Sequence, residues 1–526
     1  MSAHRTTSPA SARSGFATLR RRALGAGIRA ASLLPGGVGA RARYLRLTRR
    51  MDRGEVPAAW RGEMLAELRR ADALLARGDD DGAVEWFDKA LRVAYHASLH
   101  YGLEDSPLIT DPDGFLAPVR ASAVGRLLLA PPARDEGPSR PAPRARAASA
   151  GASAAEGSAP VRLLVIAQRN WTFVNPVIDA LEAYGFEVRR VEVDDLPPAE
   201  RPTRERVLRA RMELARTGRR LPTPAALAEP FDWADVVLVE WGHHVLTWVS
   251  LLADMPRLTA ARIHRFEAYT PFPLLTVFDV VDRVLFVSPH VRALIQHLTP
   301  NLERAGEIIG VDNFLAYGLG PEPRAHRDPH LLAQVGWLRP VKDVLFTLDL
   351  LERVRAKDPR HRLQLIGPGL PEDPAQDTAF QARVRRRIAQ FPAGAVQVLG
   401  ARSDVPDLLA MAGWIVSSSL HEGVHEAVME GIAAGCVPLI RNWPDARPYG
   451  GAGVIYPDRW VVEDLDEAVE RVLRIEREGA LTEVSAEARA WVVERRTAST
   501  VTARYAEALS PQQPTAGEEP TGSTRR

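Results

Sequence analysis

In this 526-residue chain, Glu422, Glu426 and Glu430 recur every fourth residue, with Gly423 and His425 between the first two. Serines 417–419 close an apolar run just before them, and Gly423 supplies a polar turn. A helix is expected to start near Val424 or His425 and to end at Gly435. The first backbone N–H groups of a helix have no partner within it, so a pyrophosphate fits there. Carboxylates flanking a bound anion are free to accept hydrogen bonds from sugar hydroxyls. Had the helix begun earlier, the three glutamates would share one face and repel by about a few tenths of a kcal/mol per pair. On spacing alone, a solvated acidic face is the simpler reading.

Histidines mark two further places. His264 ends the apolar run Ala261–His264, three residues before Glu267. His243 and His244 follow Glu240-Trp241-Gly242, where another run stops. The plain alternative for each is an ordinary strand-end histidine. No zinc site is expected: there is no H-E-x-x-H, and Cys436 is the single cysteine. That cysteine count also excludes an intrachain disulfide and suits a reducing compartment.

The elements that must hold these residues read as α/β. Apolar strands are expected at 161–167, 187–193, 235–240, 261–264 and 283–287. A second series falls at 331–338, 363–366, 396–399, 414–418 and 437–440, with helices at 175–184, 344–356, 460–478 and 484–508. Short strands alternating with helices give parallel sheets of βαβ units. Two such series predict two Rossmann-like domains facing a cleft, at 161–325 and 326–508. Ligands in such sheets bind beyond the carboxyl ends of the strands, where the glutamates and histidines stand.

The remainder is organised differently. Residues 1–50 contain eleven arginines and no carboxylate, although the whole chain has a net charge of only +2. They read as a basic, disordered arm that suits an anionic membrane surface, with nucleic acid not expected as a partner. Arg20-Arg21-Arg22-Ala23-Leu24 imitates a twin-arginine export signal. Arg29 interrupts the apolar stretch that follows it, and Arg41 and Arg43 crowd the would-be cleavage site. No run of about 20 apolar residues suggests a transmembrane helix. A cytoplasmic protein is expected, peripheral at the inner membrane face. Residues 51–130 form a helical region; Ala83, Phe87 and Ala90, after Gly78, resemble half of a tetratricopeptide repeat. Without a second copy, a small hairpin preceding the α/β body is the simpler reading. Residues 131–160 are a Pro/Ala/Gly-rich linker, and 509–526 a disordered tail.

Glu422-x7-Glu430, followed by Gly431-Ile432-Ala433-Ala434-Gly435-Cys436-Val437-Pro438, resembles the signature of family 4 (group 1) retaining glycosyltransferases. Val335-Gly336-Trp337-Leu338-Arg339-Pro340-Val341-Lys342 is similar to that family's G-R-L-x-x-x-K element. Leu363–Gly369, Val396–Gly400 with Asp404–Leu409, and Gly310-Val311-Asp312 resemble its further landmarks, in order. The resemblance implies the GT-B fold. It also implies that Glu430 binds the ribose of a nucleotide, that Glu422 contacts the donor sugar, and that Lys342, with Arg339, holds the diphosphate. Gly400 and the backbone of Gly423, Val424, His425, Glu426 and Ala427 complete the implied donor site. His264 is implied to hydrogen-bond the donor sugar, making His264, Glu422 and Lys342 the catalytic set.

The chain departs from the family pattern in three places. Trp337 stands where arginine is usual, His425 replaces a glycine, and Gln168–Phe173 replaces a glycine pair. Arg169 and Asn170, with His243, His244 and Glu267, are therefore assigned to acceptor or sugar contacts. The expected reaction is retaining transfer from a nucleoside diphosphate sugar to a hydroxyl, without metal or other cofactor. The acceptor is expected to be lipid-linked or a polysaccharide. The alternatives are a phosphorylase or sugar-nucleotide epimerase on the same fold, and a catalytically silent scaffold in an envelope-polymer assembly.

Overall fold

The computed structural model describes residues 30–32, 34, 36–101, 106–132, 138, 159–320 and 327–511. The export-like motif and almost all of the linker and tail lie outside these residues. The chain divides into two compact units, one of residues 1–103 with 117–126, the other of 104–116 with 127–526.

The first unit is helical. Helix Gly36–Met51 occupies the second half of the segment expected to be a disordered arm, with Leu47 and Met51 buried. Helices Trp60–Leu75 and Asp80–Ala94 form the hairpin. Gly78 has φ +78° at its turn. The Asp79 carboxylate caps the second helix by accepting from the Gly82 N–H. Met64, Leu68, Ala83, Val84, Phe87 and Leu91 are buried in it.

The second unit contains two six-stranded sheets in which every strand pairing is parallel. The first is built from β1 (Arg162–Ala167), β2 (Glu187–Glu192), β3 (Val236–Glu240), β4 (Thr259–Ile263), β5 (Arg283–Phe286) and β6 (Glu307–Gly310), in the order β2-β1-β3-β4-β5-β6. The second is built from β7 (Asp328–Val335), β8 (Arg362–Ile366), β9 (Val396–Gly400), β10 (Ala412–Ser417), β11 (Val437–Arg441) and β12 (Val461–Val462), in the order β12-β11-β10-β7-β8-β9. The central strands β3, β4 and β10 are buried along their whole length, which accounts for their mostly apolar sequences. Strand order reverses between β1 and β3 in one sheet and between β7 and β10 in the other. Each reversal opens a crevice at the carboxyl ends. Two Rossmann-like domains of the GT-B kind result.

Near its carboxyl end the chain returns to the first domain. Helix Leu481–Arg496 buries Ala488 and Val492 in the second domain's core. After Thr497 a further helix, Ala498–Ala508, puts Val501, Tyr505 and Ala506 among Leu163, Val165 and Ile178 of the first. One buried side chain fastens this crossing. Arg262 on β4 lies 2.7 Å from Glu240 Oε1, donates to the Tyr505 hydroxyl at 2.6 Å, and donates to the Phe173 carbonyl at 2.9 Å.

Candidate active site

Left-handed φ values at non-glycine residues mark the crevices. Among the described residues there are five: Arg169 (60°), Asn170 (54°), Trp241 (66°), Asp343 (39°) and His425 (63°). They sit in the connections leaving β1, β3, β7 and β10, the four strands that flank the two reversals. Such conformations cost an ordinary residue about 1–2 kcal/mol and cluster at functional sites. Three of the five occupy the places where the sequence departs from glycine. Arg169 and Asn170 keep the backbone shape of the missing pair, and His425 that of the missing glycine.

In the second domain the loops after β7 and β10 lock together. The Leu420 N–H donates to the Val341 carbonyl at 2.8 Å, and the Ser418 hydroxyl to the Lys342 carbonyl at 2.8 Å. Gln334, on β7, donates to that carbonyl as well. The two loops thereby bring Lys342 Nζ to 2.6 Å from Glu422 Oε1, and Ser419 donates its hydroxyl to the same oxygen at 2.7 Å. Burial opposes the charge on Glu422, but the Lys342 ammonium, together with the neighbouring His425 and Arg265, outweighs it and holds the carboxyl well below its usual range. Beyond the loop, helix Glu426–Ala433 begins one to two residues later than the sequence indicates. It can lie close on β10 because Gly431 has no side chain; a Cβ there would stand 2.7 Å from Ile415 Cγ1. Its first turn offers the backbone N–H groups of Glu426 and Ala427.

Individual side chains part company at this point. The Glu426 carboxylate accepts from Asn313 at 2.9 Å and Arg496 at 2.7 Å, so its side chain belongs to the crossover between the domains and only its backbone N–H is left for a donor. Glu430 stays available. Its carboxyl accepts the Ala316 N–H, and burial, then the charge of Glu426, push it up to about 7. Val424 is a core residue whose carbonyl accepts from the Tyr456 hydroxyl. His425 Nδ1 faces the Ser417 hydroxyl at 2.6 Å, and burial, then Lys342, lower its imidazole to about 3. Trp337 is buried beside Val344 and Leu348, so the residue at the family's arginine position packs the core. Arg339 is exposed, with no partner among the described residues. Gly400 ends the edge strand β9 with its carbonyl bonded to the Gly367 N–H.

In the first domain, the His264 ring lies tilted against Trp241 with centroids 4.6 Å apart; neither ring nitrogen has a hydrogen-bond partner among the described residues, and Nδ1 is 3.9 Å from Glu267 Oε1. Burial, then the Arg262 charge, keep it well below its usual 6.5. Glu267 is committed to positioning, because its two oxygens accept the Gly242 N–H at 2.9 Å and the His264 N–H at 3.0 Å. His243 and His244 stack at 4.7 Å, both held neutral chiefly by burial. The Arg169 guanidinium is taken up by Asp194 at 2.5 Å, while the Asn170 side chain points outward, exposed.

The two domains meet at residues that the sequence reading passed over. Arg265 donates to His421 Nδ1 at 2.8 Å and to the His421 carbonyl at 3.0 Å; Tyr269 reaches the same ring nitrogen at 3.1 Å. His290 Nε2 lies 2.8 Å from the Glu422 carbonyl oxygen. The rule that singled out His264 would have found His290, since Ser288-Pro289-His290 follows one residue after β5. No group of three or more His, Cys, Asp or Glu placed to hold a metal occurs among the described residues.

Comparison with known proteins agrees with this second domain. Residues 329–475, from the start of β7 to beyond β12, match the family model described as Glycosyl transferases group 1. No curated protein sequence matches the chain. Among solved structures it is similar to TarM, at 12% identity and a TM-score of 0.42, over 52% of this chain and 54% of that one. It thus spans about half the length of TarM. It is also similar to Anabaena HepE in complex with UDP, at 13% identity, TM-score 0.49, over 66% of this chain and 99% of that one. A third is the sucrose-phosphate synthase of Thermosynechococcus elongatus, at 13% identity, TM-score 0.45, over 66% and 97%. The match to group 1 glycosyl transferases thus lies within the second domain.

Proposed function

We propose that this chain transfers a sugar from a nucleoside diphosphate sugar to a hydroxyl acceptor, with retention of anomeric configuration. The observation that carries the reading is the Lys342–Glu422 pair at the β7/β10 reversal, eight residues before Glu430. In this reading the donor diphosphate takes Lys342 away from Glu422 and rests on the N–H groups of Glu426 and Ala427, with Arg339 beside it. Those cationic and dipolar groups oppose the negative charge that grows on the departing diphosphate. Glu422, released but still ionised, accepts hydroxyls of the sugar, and Glu430 accepts those of the ribose. His264 has two unpartnered nitrogens to offer the same sugar. Asn170, His243 and His244 face the acceptor, and the reaction runs without a metal ion. The chain acts in the cytoplasm on a lipid-linked or polysaccharide acceptor. Among the described residues no helix is long and apolar enough to cross a membrane.

One observation favours a second reading, a catalytically silent scaffold: Trp337 has removed a diphosphate-binding cation to the core. Calorimetry with UDP, GDP, ADP, CDP and dTDP on the full chain and on Glu430→Ala separates the two. The transferase reading expects one nucleotide to bind at micromolar strength, about −8 kcal/mol, and the variant to lose it. Failure of all five to bind folded protein would leave the scaffold.

A further inference from the structure

Helix Gly36–Met51 carries Arg41, Arg43, Arg46, Arg49 and Arg50 and no carboxylate. Gly39, Ala40, Ala42, Leu47 and Met51 are buried. Val38, Arg41, Leu45 and Arg49 follow one another at steps of three and four residues and so share one face, which Arg46 borders. That face is open: Val38 is 63% exposed and Leu45 43%, with Leu34 just ahead of the helix at 50%. Nine large hydrophobic residues are exposed among the described residues, and these are three of them. Single exposed apolar residues are ordinary; three within twelve positions of one short segment form a patch.

The arginines divide into two groups. Arg43 donates to the Ser32 carbonyl and lies 3.9 Å from Glu63, Arg50 pairs with Glu55, and Arg41 pairs with Glu85. The side chains of Arg46 and Arg49 have no hydrogen bond, ion pair or ring contact among the described residues. A face that joins exposed aliphatic residues to un-neutralised guanidinium groups fits an anionic lipid surface. The side chains of Val38 and Leu45 enter the boundary between headgroups and acyl chains, and the arginines remain with the phosphates. Nucleic acid would use the arginines but leave the apolar residues in water. A second copy of the chain would use the apolar residues but set like charges against each other. The sequence before the helix adds six arginines and no carboxylate in residues 1–29.

We propose that the Val38–Arg49 face of this helix is a docking surface for anionic membrane, independently of the glycosyltransferase reading. The test is sedimentation of the full-length chain with phosphatidylcholine vesicles, with and without phosphatidylglycerol. Wild type is expected to partition onto the anionic vesicles only, less so as salt rises. Arg46→Gln/Arg49→Gln should weaken partitioning roughly 25-fold, about fivefold per charge, while Arg46→Lys/Arg49→Lys keeps it. Val38→Ser/Leu45→Ser should reduce the part of the binding that survives high salt. All six substitutions are at exposed positions, and circular dichroism and nucleotide affinity should match wild type. Partitioning unchanged in the combined Val38/Leu45/Arg46/Arg49 variant would overturn the proposal by moving the contact elsewhere, residues 1–29 included. Absence of wild-type binding would overturn it too, as would concentration-dependent self-association that Val38→Ser/Leu45→Ser abolishes.

Discussion

Replacing Lys342 by methionine should do two separable things. The side chain keeps its length and loses its charge, so Glu422 is left buried with only the Ser419 hydroxyl on its near oxygen. Removing one partner of a buried ion pair costs about 3–5 kcal/mol. The low end, about 3 kcal/mol, applies here because Lys342 retains 18% exposure and the Arg265 charge still favours the ionised carboxylate. Glu422→Gln alone leaves a part-exposed ammonium, which water tolerates at about 1 kcal/mol. The double variant has no unpaired carboxylate, and the coupling between the two sites should be about 2 kcal/mol. Hydrogen exchange of peptides spanning 417–425 reads that local opening without requiring the whole chain to unfold in one step. Nucleotide affinity should follow a different order. Lys342→Met loses roughly 10- to 100-fold, an ionic hydrogen bond of about 1.5–3 kcal/mol, and Glu422→Gln does not restore it. Glu422→Gln by itself should bind free nucleoside diphosphate at least as tightly as wild type, because Lys342 is no longer engaged. Full-strength nucleotide binding by the double variant would refute the diphosphate role of Lys342. Exchange that Glu422→Gln fails to slow in the Lys342→Met background would refute the ion-pair argument.

Arg262→Met should loosen helix Ala498–Ala508 by about 3 kcal/mol, and Tyr505→Phe by about 1.5 kcal/mol, seen as faster exchange there with β7–β12 unchanged. Equal loosening of both sheets would contradict the assignment of this network to the crossover. Stability should peak near neutral pH. Burial lowers His100, His244 and His290 to about 4 and His243 and His425 to about 3, so below their ordinary 6.5 the unfolded chain takes up protons first and stability falls with pH. On the alkaline side, burial raises Glu67 and Glu430 to about 7 and Glu267 to about 8; their contribution is present below about 4.5 and is lost as pH rises through those values. A melting temperature that climbs steadily from pH 4 to 9 would sink this account. Cys436 is buried and burial pushes its thiol up to about 12, so it should resist aromatic disulfide reagents until the second domain unfolds.

The strands most legible in the sequence were those buried on both faces, such as β1 and β3, since continuous apolar runs leave little else they can be. Strand β6 escaped notice because only Ile308 and Ile309 of its four residues are apolar, and β12 because two residues carry no period. The Lys342–Glu422 contact was legible only as two motif positions eighty residues apart; nothing in their spacing says that the β7 and β10 loops bond each other. The direction of the Glu426 side chain was not legible either, because it is set by Arg496 and Asn313, which are distant in sequence. Trp337 could not be read as a core residue from a motif whose usual occupant is charged. The grip of Arg265, Tyr269 and His290 on residues 421–422 required both sheets to be placed before it could be seen.

The return of helix Ala498–Ala508 bears on the order in which the molecule can be made. All six strands of the first sheet have left the ribosome once Gly310 emerges, yet Val501, Tyr505 and Ala506 of that domain's core are still to be synthesised. Until they arrive, Glu240 and Arg262 have each other but not Tyr505, and the apolar surface around Leu163, Val165 and Ile178 has no cover. The second domain has its whole sheet and the helix Leu481–Arg496 before that point. The domain encoded first is therefore expected to be completed last, and the nascent chain exposes an apolar groove for as long as the second sheet takes to translate.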